Sequence, residues 1–242
     1  MSLNLSEQTD RWIIRRRIFC CGIFVGFIAS CVLLAAAFIS ASWTHFLYDV
    51  SASSDANETV CDECWLRLGL FTSKRAWNYG FGVRFERTYV ADWLSGLPAW
   101  LRSGWWSVVA SLCCALLCNC LGACVSLLNV FMTPACAILG YFSLRVWAFC
   151  SLLCEFITLI SYLCVSHSLV ALLLNDDAST FQFVVVKTKY GLGFWLLVGD
   201  ALLKSVMVLV ACLMPHLLQR YSVQKRVVER PHLLCDKADI IY

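Results

Sequence analysis

Glu155, Asp200 and Lys204 stand inside long apolar stretches where most neighbours are Leu, Val, Ala, Phe or Cys. An ionisable side chain surrounded by hydrocarbon is costly, and by default it marks a functional site. Asp200 and Lys204 have the i, i+4 spacing that lets two side chains meet on one helix face. Counting along the two stretches puts Glu155 at a depth similar to that of Lys204. Two chemistries fit such a trio. One is a structural carboxylate–ammonium cluster that pins two helices together, the ordinary use of these residues. The other is a relay for protons or ions, although the broken-helix pattern of transporters is missing. Arg145 lies nearer the end of its stretch and has the reach to snorkel toward water.

The other reactive side chains point away from catalysis. The chain has 16 cysteines and four histidines: His45, His167, His216 and His232. No histidine falls in a nucleophile motif. The five cysteines of the string Cys113 to Cys124 spread over more than one helix face, where buried cysteine behaves as a small apolar residue. No catalytic residue, metal or cofactor is expected, and the chain reads as a non-enzyme. Cys20 and Cys21 follow an arginine run, a placement that suits reversible S-palmitoylation. Cys61 and Cys64 form a disulfide candidate, with free thiols as the alternative. A zinc site there would need two further ligands at suitable spacing. Asn57-Glu58-Thr59 is an N-glycosylation acceptor.

These residues are positioned by four apolar runs, at residues 18–42, 105–131, 140–165 and 191–214. Crossing a bilayer as helix takes about 20 apolar residues. The 242-residue chain is 60% hydrophobic and 14% charged, against about 25% charged for soluble domains. A large water-soluble enzyme domain is thereby excluded. Arg15, Arg16 and Arg17 abut the first run, which places residues 1–17 in the cytoplasm by the positive-inside rule. Four crossings return residues 215–242 to the same side, where Arg220, Lys225, Arg226 and Arg230 follow the last run. Residues 43–104 then form a large outer loop, 132–139 a short inner loop and 166–190 a second outer loop. The first run exceeds the roughly 7–15 apolar residues of a signal peptide, so it is expected to remain as a span. Gly22, Gly26 and Ser30 line one face of it and allow close helix approach.

The large outer loop has strand periodicity. Trp65, Arg67, Gly69 and Phe71 lie on one parity and Leu66, Leu68 and Leu70 on the other; Val83 and Phe85 alternate with Arg84 and Glu86. Such alternation predicts strands with one buried face, and Asn78-Tyr79-Gly80 supplies a turn between them. The segment from Phe181 to Tyr190 is rich in β-branched and aromatic residues and is expected as an edge strand of the same small antiparallel sheet. Trp93, Trp100, Trp105 and Trp106 are expected at the outer membrane interface.

This layout resembles the claudin-like tetraspan superfamily. Gly69-Leu70-Phe71 stands where claudins carry Gly-Leu-Trp, but Cys61 and Cys64 precede it instead of following it. The likeness to the clarins is closer: Gly69-Leu70-Phe71, then Gly80-Phe81-Gly82 with Phe85, an outer-loop sequon, Phe194-Trp195 opening the fourth run, and Tyr242. The resemblance implies a claudin-like all-α membrane protein, a four-transmembrane-helix bundle with a small extracellular antiparallel β-sheet. It also implies an organiser or adaptor of the plasma membrane in sensory cells, related to hearing and mechanosensation, with links to the actin cytoskeleton. An auxiliary subunit that modulates an ion channel is one alternative. An ion or proton pathway through Glu155, Asp200 and Lys204 is the other.

The end of the sequence has two readings, a tail without a partner and a ligand for a scaffold. Ala238-Asp239-Ile240-Ile241-Tyr242 has the pattern that PDZ domains bind by strand addition, with Ile240 and Tyr242 filling the pockets. The expected partners are thus the lipid bilayer, other membrane proteins, a PDZ scaffold and the cytoskeleton, and no nucleic acid.

Overall fold

The computed structural model describes residues 2–52, 59–78, 82–131, 141–176 and 181–213. In chain order these form α1 (Ser2–Ile39), β1 (Thr44–Ala52), β2 (Thr59–Leu68), β3 (Thr72–Asn78), β4 (Val83–Tyr89), α2 (Val90–Gly96), α3 (Ala99–Phe131), α4 (Tyr141–Asp176) and β5 (Phe181–Tyr190). The last helix, α5, spans Leu192–Leu213. Among the described residues, four helices (α1, α3, α4 and α5) are long and apolar enough to cross a membrane. The chain therefore has the architecture of a multi-pass membrane protein with a small sheet at one end of its bundle.

Helix ends differ from the apolar runs that announce them. α1 stops at Ile39, and Ser40, Ala41 and Ser42 carry the chain straight into β1. α4 continues to Asp176, well past the end of its apolar run at Val165, because Leu169 still finds a buried site.

The sheet is antiparallel with strand order β4-β3-β2-β1-β5, which puts β5 at the expected edge. The sequence reading missed β1, the strand that joins β5 to the rest. Phe46 and Tyr48 are buried and alternate with half-buried His45 and exposed Leu47, but this pattern is short and abuts an apolar run that masks it. Two other expectations need correction. Gly69 does not continue β2. It starts the turn into β3, where its N–H bonds the Thr72 carbonyl at 3.0 Å, and a Cβ there would come within 2.9 Å of the Ala41 backbone. β4 buries neither face: Val83 is 50% and Phe85 73% exposed. It pairs with β3 on one side only, so its alternation has no layer to face.

The sheet is fused to the bundle through aromatic rings. Trp43 follows α1 and is fully buried; its indole N–H donates to the Ala37 carbonyl at 2.8 Å. Its backbone N–H bonds the Leu68 carbonyl, and its own carbonyl accepts from Gly191. The Trp43 ring packs 4.8 Å from Tyr162 of α4, and the Tyr162 hydroxyl meets the Thr44 hydroxyl at 2.6 Å. Trp105 is only 2% exposed and donates to the Leu70 carbonyl at 3.1 Å. It is thus a core residue, unlike the exposed Trp100 and Trp106, because a buried indole needs an acceptor and Leu70 supplies one. One continuous apolar core runs from Leu66 and Leu68 of β2 to Leu112 of α3 and Leu197 of α5.

Candidate functional site

A second, smaller apolar cluster of Ile23, Phe27, Ala123, Leu144, Ala148 and Met207 fills the bundle away from the sheet. Between the two clusters lies a polar layer. α1 contributes Ser30, α3 Asn119, α4 Ser151 and Glu155, and α5 Asp200 and Lys204, each fully buried. Helical periodicity explains the grouping. On each helix these positions continue the inward stripe that carries Phe27 and Leu34, Ala115 and Ala123, Ala148 and Tyr162, or Leu197 and Met207.

Asn119 is the hub. Its amide donates to Ser30 Oγ at 2.8 Å, and Ser30 Oγ donates to Asp200 Oδ2 at 2.8 Å. Its carbonyl oxygen accepts from the Lys204 ammonium. Ser151 Oγ lies 2.8 Å from Asn119 Oδ1 and 2.9 Å from Glu155 Oε1. A hydroxyl has one proton to give. Lys204 already serves Asn119 Oδ1, so Glu155 is where the Ser151 proton matters most. The ammonium also sits 4.2 Å from the centre of the Phe27 ring, which adds a cation–π attraction worth more in a desolvated site.

Glu155, Asp200 and Lys204 share one depth, as their spacing predicts, but they are not simply paired with one another. In the structure, Asn119, Ser30 and Ser151 mediate. The ammonium is held by an amide oxygen and a ring face, with both carboxyl groups as electrostatic neighbours. Glu155 Oε2 and Asp200 Oδ1 are buried without a hydrogen bond that meets ordinary geometry among the described residues, and the two carboxyl groups stand beside each other. The sign of Asn119 in the sequence was its polar side chain amid Leu and Cys at the depth of the charges. Ser30 shows in the sequence only as a small residue in line with Gly22 and Gly26.

The remaining sites scatter. Arg145 Nε donates to the Ala211 carbonyl at 2.9 Å, a tie between α4 and α5 where snorkelling was expected. On the glycine face of α1, a Cβ at Gly26 would meet the Met207 thioether, whereas Gly22 has open space beside it. Cys20 is buried and Cys21 exposed, so of the two palmitoylation candidates only Cys21 presents its thiol at the surface. Cys64 is buried and disulfide-bonded, while the side chain of its candidate partner Cys61 lies outside the described residues. Asn57, Gly80, Ile240 and Tyr242 also lie outside them. Leu70 of the Gly69-Leu70-Phe71 motif is buried, and the Phe71 carbonyl accepts from Val90 at 2.9 Å. The motif therefore locks the β2–β3 turn against α2 and α3. Gly82 has φ +99°, a left-handed conformation that suits glycine at the entry to β4. Among the described residues no group of His, Cys, Asp and Glu is placed to hold a metal ion.

Fold and site together define a class: a four-helix membrane bundle with a buried polar layer and a strand cap. Comparison of the chain with protein-family models and with curated proteins gives no match.

Proposed function

We propose that this chain is a clarin-like tetraspan organiser of the plasma membrane, a non-enzymatic adaptor that links membrane partners to the cytoskeleton in sensory cells. Its sheet faces outward and both termini are cytoplasmic. The observation that carries this reading is the fusion of sheet and bundle through Trp43, Tyr162 and Trp105. A sheet anchored this way is a rigid platform, and rigid platforms present partners with little ordering cost. One face of the platform is used up by the bundle and the other is exposed. Affinity purification with mass spectrometry from native membranes tests the reading. Recovery of membrane and cytoskeletal partners, lost when the Trp43 anchor is replaced, is the expected result. Recovery of one stoichiometric channel would instead make the chain an auxiliary channel subunit.

A second reading, an ion or proton pathway, is favoured by the buried carboxyl oxygens Glu155 Oε2 and Asp200 Oδ1. Flux by the purified protein alone in liposomes, abolished by Asp200→Asn, would establish it. Liposomes that stay tight would remove it.

A further inference from the structure

The register of the sheet places five basic residues in a single row. Lys189 of β5 stands opposite His45 of β1, His45 opposite Arg67 of β2, Arg67 opposite Lys74 of β3, and Lys74 opposite Arg87 of β4. Directly opposed residues share a face of the sheet. At about 4.8 Å between strands, the row crosses the whole sheet and is roughly 19 Å long. All of its members are exposed except half-buried His45. Like charges set directly opposite destabilise a sheet, and here no acid is interleaved. Glu86 of β4 lies on the other face, opposite Arg75. The acids Asp49 and Glu63 lie four residues farther along β1 and β2, about 13 Å away at the rise of a strand.

The neighbouring row on the same face is largely apolar. It reads Lys187, Leu47, Trp65, Ala76 and Phe85. The Trp65 and Phe85 rings lie 6.2 Å apart over buried Ala76, and the Arg67 guanidinium sits 4.6 Å from the Trp65 ring. Four cations, Lys189, Arg67, Lys74 and Arg87, with His45 standing between the first two, therefore run beside an aromatic strip. The opposite face carries Phe46, Leu66 and Leu68 into the core shared with the helices. The basic row thus points away from the bundle, and lipid headgroups of the protein's own membrane are the wrong way round to reach it.

We infer that this face binds an extended sulfated polysaccharide, with sulfate groups along the basic row and sugar rings against Trp65 and Phe85. Charge strung out across the whole sheet fits a repeating polyanion better than a single phosphate group. The aromatic strip offers flat apolar surface to the C–H faces of pyranoses. The choice of a glycan over other polyanions rests on the outward orientation of the sheet proposed above. Outside the cell, sulfated chains are the extended polyanions a membrane protein meets.

The full chain in nanodiscs, with heparin oligosaccharides as the probe, tests this. Heparin is expected to bind, and its desulfated form is not. Arg67→Ser together with Lys74→Ser should weaken binding by roughly tenfold or more, the scale for losing charge-assisted contacts. Arg84→Ser, on the other face of β4, should leave it unchanged. The double variant should unfold no lower than the wild type, since both side chains are exposed and two like charges leave the row, and so separates loss of contacts from loss of fold. No heparin binding, or equal losses for Arg84→Ser and the double variant, would overturn the inference. Single-stranded oligothymidylate binding as tightly as heparin would overturn the glycan assignment. An epitope in β4, labelled or not on intact cells, tests the orientation separately from the binding.

Discussion

Lys204 and Lys74 are both lysines held close to other charges, one in the middle of the bundle and one on the open face of the sheet. Lys204 is fully buried and served by the Asn119 oxygen and the Phe27 ring, with Glu155 and Asp200 close by. Lys74 is exposed between two arginines, Arg67 and Arg87. In a dry interior an unpaired charge is intolerable, so four helices converge to solvate one ammonium. In water the same charge is cheap enough to be lined up with others of its sign. The polar layer inside the bundle is therefore satisfied from within, apart from one oxygen each of Glu155 and Asp200, and the basic row is built to be satisfied from outside.

The largest expected effect breaks the inner half of that comparison. Lys204→Met leaves two buried carboxyl groups without a cation, and breaking a buried charge group costs about 3–5 kcal/mol in soluble proteins. Changing Glu155, Asp200 and Lys204 together to apolar residues should be milder than Lys204→Met alone. Surface expression and thermal unfolding of the purified variants measure both. Equal expression of wild type and Lys204→Met would mean that the layer does not hold the bundle together.

Asn119→Leu comes next. It removes the hub while leaving the charges in place, and a buried polar group left unmade costs roughly 1–3 kcal/mol, more when it is charged. Restoring an amide with Gln should recover less than half of the loss, because the longer side chain cannot reproduce the bonds to Ser30 and Lys204. Unfolding midpoints of the wild type and of the Leu and Gln variants decide the point, and a Leu variant as stable as the wild type would deny Asn119 its central place.

On the sheet the expected sign reverses. Lys74→Glu puts an acid between Arg67 and Arg87, and opposite-charge pairs across strands contribute roughly 0.2–1 kcal/mol each. The variant should therefore unfold at a slightly higher temperature than the wild type, at low salt above all. A lower unfolding temperature would show that the row is not self-repelling.

The smallest effect is the pH dependence of His45. Its pKa is held below the ordinary value of 6.5, first by burial and then by Arg67 and Lys189. The fold thus favours the neutral ring. The stability this brings is complete above the unfolded value and is lost as pH falls through it toward the depressed folded value. Unfolding temperatures measured from about pH 8 down to about pH 5, across the range where histidine titrates, should fall less steeply for His45→Gln than for the wild type. Parallel curves would show that the row does not act on His45.

The amino-acid sequence by itself determined the four apolar helices, because about 20 consecutive apolar residues have few other uses. It also determined that residues 181–190 form a strand and that Glu155, Asp200 and Lys204 share a depth. These follow from composition and from the repeat of a single helix or strand. What joins distant segments was decided only in the tertiary structure. β1 was hidden beside an apolar run, and Gly69 changed from strand to turn because the Ala41 backbone passes too close for a side chain. Trp105 moved from the expected interface into the core because Leu70 offers its carbonyl there. Asn119 became a hub because three other helices bring Ser30, Ser151 and Lys204 to it. The basic row exists only through register: Lys74 and Lys189 stand far apart along the chain, and a slip of one residue in any strand would send its member to the opposite face.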